Sequence, residues 1–429
     1  MKRILWILAA MLVCMLVCWM PAPSRAQTVV QFWAYDFYTR SYYQVGLTQK
    51  YVSSRARVYG GPEVSSSQAQ QVGQAFDGIY NNVTGILGQP PDVDGDPLIY
   101  ILITDIKDVY DHDPMAVSFV RAYFDPRNQA PTTYSNGREI IYLDNVQQLP
   151  TETEAKRALA HELGRMIVWG ADRDEEAWLV EGIGYLAERI AGYGHRPEIG
   201  SYLADPSRPL VGWTGSAPDA GASYLLLLYV YEQFGASAVQ SIVQSSANGL
   251  DSVAAAVGLS SDGLFRRWAL ANYLDSSGIY RYTSLDIVDS GEDNVTKFRR
   301  TAATMVSRPL PNERREMVGV LCGGGIRYYK TAPGSRTDEF VRIGDEKARE
   351  AVWSPTLDGS GFGASWMKNN VLLQEGRLDH TSTDVPASDS FLLCVSPFRA
   401  RGAVDYRYVL HGTYTVFLPV VTRNYSSGE

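Results

Sequence analysis

Cysteine and histidine are scarce in these 429 residues, basic residues are outnumbered by acidic ones, and a long apolar run occurs only once. Each shortage removes a class of protein. Of four cysteines, Cys14 and Cys18 fall inside an apolar leader. That leaves Cys322 and Cys394, enough for one bridge and too few for a disulfide-built scaffold. Lys and Arg total 39 against 47 Asp and Glu, a formal net charge of −8. No basic stripe interrupts this acidity, which excludes the electrostatic footprint of a nucleic-acid binder. No internal repeat and no low-complexity tract occurs, which excludes a solenoid.

The one long apolar run is Ile4 to Met20. Lys2 and Arg3 precede it, and Ser24-Arg25-Ala26 forms a small-x-small cleavage site before Gln27, the pattern of a secretory signal. The run approaches membrane-spanning length, but Pro21, Pro23 and the cleavage pattern favour removal over anchoring. Residues 1–26 are thus expected to be a signal peptide and the mature chain extracellular, with no membrane contact after cleavage. Once Lys2, Arg3 and Arg25 leave with the leader, 36 basic residues face 47 acidic ones and the net charge is −11, suited to a soluble exported protein. In an oxidising compartment Cys322 and Cys394 are most simply a disulfide, two reduced thiols being the alternative. The 72 positions between them make such a bridge worth roughly 4 kcal/mol in the chain-entropy model.

About 400 mature residues are too many for one hydrophobic core, so two domains are expected. Residues 27–64 are β-rich, with Val29 to Tyr35 and Ser54 to Tyr59 as strands and Gly60-Gly61-Pro62 as a turn. Ser65 to Leu87 is an amphipathic helix with Val72, Phe76, Ile79 and Val83 on one side. Asp92-Val93-Asp94-Gly95-Asp96 resembles a fragment of a calcium loop but lacks the bidentate glutamate at the loop's end, so a plain turn is preferred. Leu98 to Thr104 is a buried strand. Asn136-Gly137 turns into a further strand, Glu139 to Leu143.

The rest of the chain is organised around Thr151 to Glu188. Thr151 and Glu154 form a T-x-x-E capping box, Ala155, Leu159, Leu163, Met166 and Ile167 recur at helical spacing, and Gly170 offers a stop. A second helix spans about Asp174 to Ala191. Within the first helix stands Ala160-His161-Glu162-Leu163-Gly164-Arg165. In H-E-x-x-H, two histidines one turn apart bind zinc and the glutamate activates a zinc-bound water. Here Arg165 occupies the place of the second histidine. Glu181 follows Arg165 by 16 positions, a gap that lets an antiparallel helix return its carboxylate toward the first.

These residues resemble the hyicolysin-like neutral metallopeptidases, a zincin family, whose pattern is H-E-x-x-H on one helix and W-L-N-E-G on the next. This chain reads H-E-L-G-R and then Trp178-Leu179-Val180-Glu181-Gly182. F-D-x-I-Y from Phe76, the D-V-D-G-D-P turn and I-Y-I-L-I-T-D match the family's lead-in, and Ala220-Gly221-Ala222-Ser223-Tyr224 stands where the family has Y-G-A-S-Y. The resemblance covers about Ser65 to Asp275. It implies an α+β fold, His161 and Glu181 as metal ligands, Glu162 as general base, and Tyr224 as an oxyanion stabiliser or, equally, a core residue. It also implies an edge strand along the substrate cleft, here Glu139 to Leu143, to which a polypeptide pairs as an added strand.

Two departures matter: Arg165 replaces a ligand, and Val180 an asparagine. Arginine stays charged at any ordinary pH. A unit charge about 4 Å from a dication at an effective dielectric near 20 is repelled by about 8 kcal/mol. One reading follows in which Arg165 fills the zinc seat, pairs with Glu162 and Glu181, and leaves a secreted pseudo-peptidase that binds polypeptide without a cofactor. The other is an active zinc endopeptidase with Glu162 as base and an unusual ligand drawn from His195, Asp172 or Asp174. A third has the work done by the second half of the chain. There, from Thr301, short β-type runs alternate with Gly, Pro and Ser turns, a pattern expected of a β-sandwich. The expected division is therefore signal peptide 1–26, β segment 27–64, zincin-like domain 65–275, linker 276–300 and β-sandwich 301–429.

Overall fold

The computed structural model describes residues 28–288, apart from positions 114, 117, 205, 207–209, 211, 212, 276 and 277, together with the backbone of strand segments between 297 and 412. The expected signal peptide lies outside the described residues. So does the expected disulfide, since Cys322 is not among them and the side chain of Cys394 is not described. Among the described residues no helix is long and apolar enough to cross a membrane.

The molecule is α+β. A hairpin of β1 (Val29–Asp36) and β2 (Ser41–Val52) leads into β3 (Ala56–Gly60), β4 (Ile99–Ile103), β5 (Ala122–Phe124) and β6 (Ile140–Leu143). They form one six-stranded sheet in the order β1-β2-β3-β4-β6-β5. β3, β4 and β6 are parallel neighbours, while β5 closes the edge antiparallel to β6. All five residues of β4 are buried, as a parallel strand covered on both faces requires. Ile99, Ile101 and Ile103 join the helix-side core, and Tyr100 and Leu102 join a second core with Phe32, Leu47 and Tyr142. That alternation is the period of two of a strand.

The second core is tyrosine-rich because the sheet curls and polar tips tie its ends together. Asn136 accepts from the Trp33 N–H and donates to its carbonyl, each at 2.9 Å, and the Tyr35 N–H donates to Tyr123 Oη at 2.9 Å. The outer edge of β1 is thereby covered, removing a template for intermolecular pairing.

Among the described residues eight helices pack on the other side: α1 (Ser66–Leu87), α2 (Thr153–Ala171), α3 (Ala177–Ile190), α4 (Glu198–Ala204), α5 (Ala217–Phe234), α6 (Ala236–Val243), α7 (Leu250–Val257) and α8 (Ser261–Leu274). α1 starts on a complete capping box between Ser65 and Gln68 and buries Val72, Phe76, Ile79 and Val83. α5 is buried from Asp219 through Val230, the mark of a central helix.

Three local expectations need correction. α2 begins at Thr153 with Glu152 as its N-cap and no side-chain cap. The Glu152 N–H donates to the Leu149 carbonyl at 3.0 Å, so Thr151 is spent inside a preceding turn. Gly170 does not stop α2. A Cβ there would lie 2.7 Å from Pro91 Cδ, so it is a packing glycine. The edge strand is β5, and the Glu139–Leu143 run is interior, with Ile140 to Leu143 all buried between β4 and β5. Residues 278–288 continue from α8 along the same core. Tyr282, Leu285 and Ile287 are at most 5 % exposed within the helix-side core, and Asp275 accepts the N–H groups of Tyr282 and Ile287.

Beyond this, β7 (Asp286–Val288) pairs in parallel with β8 (Lys297–Arg299). β9 (Thr304–Val306), β11 (Arg327–Thr331), β13 (Phe362–Lys368), β14 (Val371–Arg377) and β16 (Phe391–Pro397) form a five-stranded sheet. β10 (Arg314–Leu321), β12 (Ser335–Val341), β15 (Thr383–Asp384) and β17 (Val404–Gly412) form a four-stranded one.

Candidate functional site

The site is built where α2 crosses α3. A Cβ on Gly164 would lie 2.8 Å from Ala187 Cβ, and one on Gly184 would lie 2.7 Å from His161 Cε1. Without side chains at these two positions the helices approach closely, and the His161 ring rests on the backbone of α3. Gly184→Ala is expected to lower stability by about 1–3 kcal/mol through overpacking. The imidazole cannot retreat without leaving its partners, so an unchanged denaturation midpoint would count against this close crossing.

α2 presents His161, Glu162 and Arg165, and α3 answers with Glu181 and Glu188. His161 Nε2 lies 3.1 Å from Glu181 Oε2 and Nδ1 lies 3.0 Å from Glu188 Oε1. Both partners are carboxylates, so both ring nitrogens donate and the ring is an imidazolium. Burial alone pulls its pKa down, but the bonds to Glu181 and Glu188 and the charge of Glu162 push it up to about 9.

Glu162 is 5 % exposed, and its Oε2 is doubly engaged, accepting from Arg165 Nη1 at 2.8 Å and from the Phe124 N–H at 2.9 Å. Arg165 Nε lies 3.0 Å from Glu181 Oε1, an ion-pair contact without an aligned hydrogen bond. Burial works against the Glu181 carboxylate, yet His161 and Arg165 hold its pKa below the usual value. Arg165 therefore bridges the two site carboxylates while His161 bridges the two carboxylates of α3.

Glu188, 1 % exposed, was not among the residues singled out from sequence. Besides His161 it accepts from Arg196 Nη1 at 3.2 Å and lies 3.8 Å from Arg157 Nη1. A signal existed: Glu188 follows Glu181 by seven positions, two turns along the same helical face. Arg196 also pairs with Glu198 at 3.0 Å.

Beside this network opens a cleft of about 380 Å³ whose wall includes Arg121, Ala122, Arg157, His161, Glu162 and Arg196. The Asp144 N–H donates to the Arg121 carbonyl at 2.9 Å. By antiparallel alternation, Ala122 and Phe124 then turn their main-chain polar groups away from β6. The Phe124 N–H goes to Glu162, and Ala122 borders the cleft.

The other residues considered from sequence lie elsewhere. Tyr224 is fully buried, and its hydroxyl lies 2.7 Å from His195 Nδ1. His195 Nε2 lies 2.8 Å from the Ser284 carbonyl and must donate to it, so Nδ1 accepts from Tyr224. Burial lowers the His195 pKa, in keeping with a neutral ring. Neither nitrogen is turned to His161. Asp172 and Asp174 sit past the C-terminal end of α2, some 16 Å of helix rise from His161.

A catalytic zinc takes three protein ligands and a water. The donors at this crossing are one imidazole, already an imidazolium, and the Glu181 carboxylate, with a guanidinium across from them, while Glu162 is held by Arg165 and the Phe124 N–H and Glu188 by His161 and Arg196. That set does not fit a catalytic zinc.

The chain has a metallopeptidase relationship over part of its length. Over 152 residues the chain is 28 % identical to the neutral metalloprotease ShpI of Staphylococcus hyicus, covering 34 % of this chain and 34 % of that protein. The chain thus spans about a third of the length of the relative it matches. No family model matches. Among solved structures, the Salmonella Typhimurium PliG, a periplasmic lysozyme inhibitor of g-type lysozyme, aligns at 14 % identity over 25 % of this chain and 97 % of that chain. The TM-score is 0.17, too low to carry any argument about fold.

Proposed function

We propose that this chain is a secreted, zincin-like pseudo-peptidase in which Arg165 replaces the catalytic metal ion and the cleft binds polypeptide. One observation carries the reading: the guanidinium spans Glu162 and Glu181, at 2.8 and 3.0 Å. A fixed cation compensates the two carboxylates that a metal centre would otherwise engage. It also occupies the base, since Glu162 Oε2 already holds Arg165 and the Phe124 N–H. The remaining function is binding, supported by the outward polar groups of Ala122, which an extended peptide can pair with as an added strand. The leader pattern supports secretion. The two sheets after residue 300 support a β-sandwich appendage, in which a Cys322–Cys394 bridge would suit the exterior.

The test is metal content. Protein purified without a histidine tag should contain far less than one zinc per chain, and a chelator should leave its peptide binding unchanged. Stoichiometric zinc at His161, or peptidase activity lost on chelation, would replace this reading with an active secreted zinc endopeptidase using Glu162 as general base.

A further inference from the structure

The turn from Asp92 to Asp96 has the spacing of a calcium-loop fragment without its closing glutamate. Folding supplies one from 46 positions away from Val93. Glu139 lies just before β6, and its main-chain carbonyl accepts from the Tyr100 N–H at 2.8 Å, so the residue is fixed to the sheet. It is 1 % exposed. Its Oε1 accepts from the Val93 N–H at 2.7 Å, while the buried Oε2 has no hydrogen-bond partner. One carboxylate oxygen each from Asp92, Asp94 and Glu139 lies within 4.8 Å of the other two.

A buried carboxylate oxygen without a donor, beside two further carboxylates, is costly unless a proton or a positive charge is present, and burial together with Asp92 and Asp94 already raises the Glu139 pKa. Of the nearby arginines, one is committed outside the cluster and the other reaches only its Asp94 carboxylate. Arg57 pairs with Asp96 at 2.5 Å, and Arg138 stacks on Tyr100 with its Nε 3.8 Å from Asp94 Oδ2. Neither pairs with Glu139.

We propose that Asp92, Asp94 and Glu139 form a calcium site that ties this turn to the sheet. Oxygens held 2.3–2.6 Å from one calcium ion stand at most about 5 Å apart, so the three carboxylates need little movement. Two of the ligands sit on an exposed turn. Calcium's irregular coordination tolerates such a set better than magnesium's strict octahedron. The ion would act beyond the turn. Pro91 packs on Gly170 near the end of α2, so a fixed turn steadies the end of the site helix remote from His161. This role is independent of whether zinc binds at His161.

The test is calorimetry and thermal melting on the mature full chain, stripped with a calcium-selective chelator and titrated with calcium chloride or magnesium chloride. One calcium per chain is expected, with Kd in the roughly 10⁻⁴–10⁻³ M range of extracellular modules. Tm should rise by about 3–6 °C at a tenfold excess over Kd, with magnesium clearly weaker. Glu139→Gln should abolish the response. Asp94→Asn, at an exposed position that leaves the core intact, should do the same with an unchanged circular dichroism spectrum. The proposal is overturned if wild-type protein shows neither binding heat nor a Tm shift with calcium, or if Asp94→Asn responds as the wild type does.

Discussion

Arg165→His is expected to turn the site proposed to be zinc-free into one that binds about one zinc ion. The substitution changes two things at once. It removes the guanidinium that spans Glu162 and Glu181, and it places a second imidazole one turn after His161 on the same face of α2. His161, the new histidine and Glu181 then supply three ligands with an open fourth position. The magnitude follows from the terms removed and gained. A cation about 4 Å from a dication is worth about 8 kcal/mol of repulsion at an effective dielectric near 20. A ligand adds on the order of 3 kcal/mol if the 10–16 kcal/mol of a structural site is shared among four.

Zinc uptake should strengthen as pH rises toward 9, because His161 must give up the proton that Glu181 and Glu188 hold there. At zinc a hundredfold above Kd the variant should gain about 2.7 kcal/mol of stability by linkage. Arg165→Gln separates the two effects, since it removes the cation without adding a donor. It should remain zinc-free, and stoichiometric zinc in that variant would mean that the charge alone had excluded the metal. If Arg165→His itself takes up no zinc, the arginine does not occupy the ligand seat. Peptidase activity need not follow, because Val180 and Ala220 also depart from the family pattern and Phe124 still engages Glu162.

What could be read from sequence was what short-range physics dictates. The helix spacing of Val72, Phe76, Ile79 and Val83 marks α1 within a residue or two. The helix pair carrying His161 and Glu181 followed from the same periodicity. Pairing order was not legible. β5 is three residues long, too short to show alternation, so the edge position was assigned to Glu139–Leu143 on the family resemblance alone. The unbroken Ile-Ile-Tyr-Leu within it is instead the signature of an interior strand. Gly170 looked like a stop because its neighbour Pro91 is distant in sequence. Glu188 and Glu139 were invisible as site residues for a related reason. Each is an ordinary surface type locally, and only tertiary contacts reveal that it is 1 % exposed and facing other charges.

Glu188→Gln should lower stability by about 3–5 kcal/mol, the loss expected when one partner of a buried ion network is removed. The replacement is nearly isosteric, so packing is kept and the change reports charge. Glu188 is the carboxylate shared by His161, Arg196 and Arg157. Without it, Arg196 keeps Glu198 and Arg157 keeps a 3.5 Å contact with Glu154, but His161 keeps only Glu181 on its other nitrogen. The loss should therefore depend on pH. In the folded wild type the His161 pKa is raised to about 9, against about 6.5 for an unperturbed histidine. Its stabilisation is fully present below the lower value and disappears as pH rises through the upper one. The gap between wild type and Glu188→Gln should thus be widest near pH 6 and narrow by about pH 9.5, leaving only the part due to Arg157 and Arg196. Denaturant unfolding at several pH values measures it directly. A gap that stays constant across that range would show that His161 is not the imidazolium its two carboxylate partners require, and that the arginines alone hold Glu188 in place.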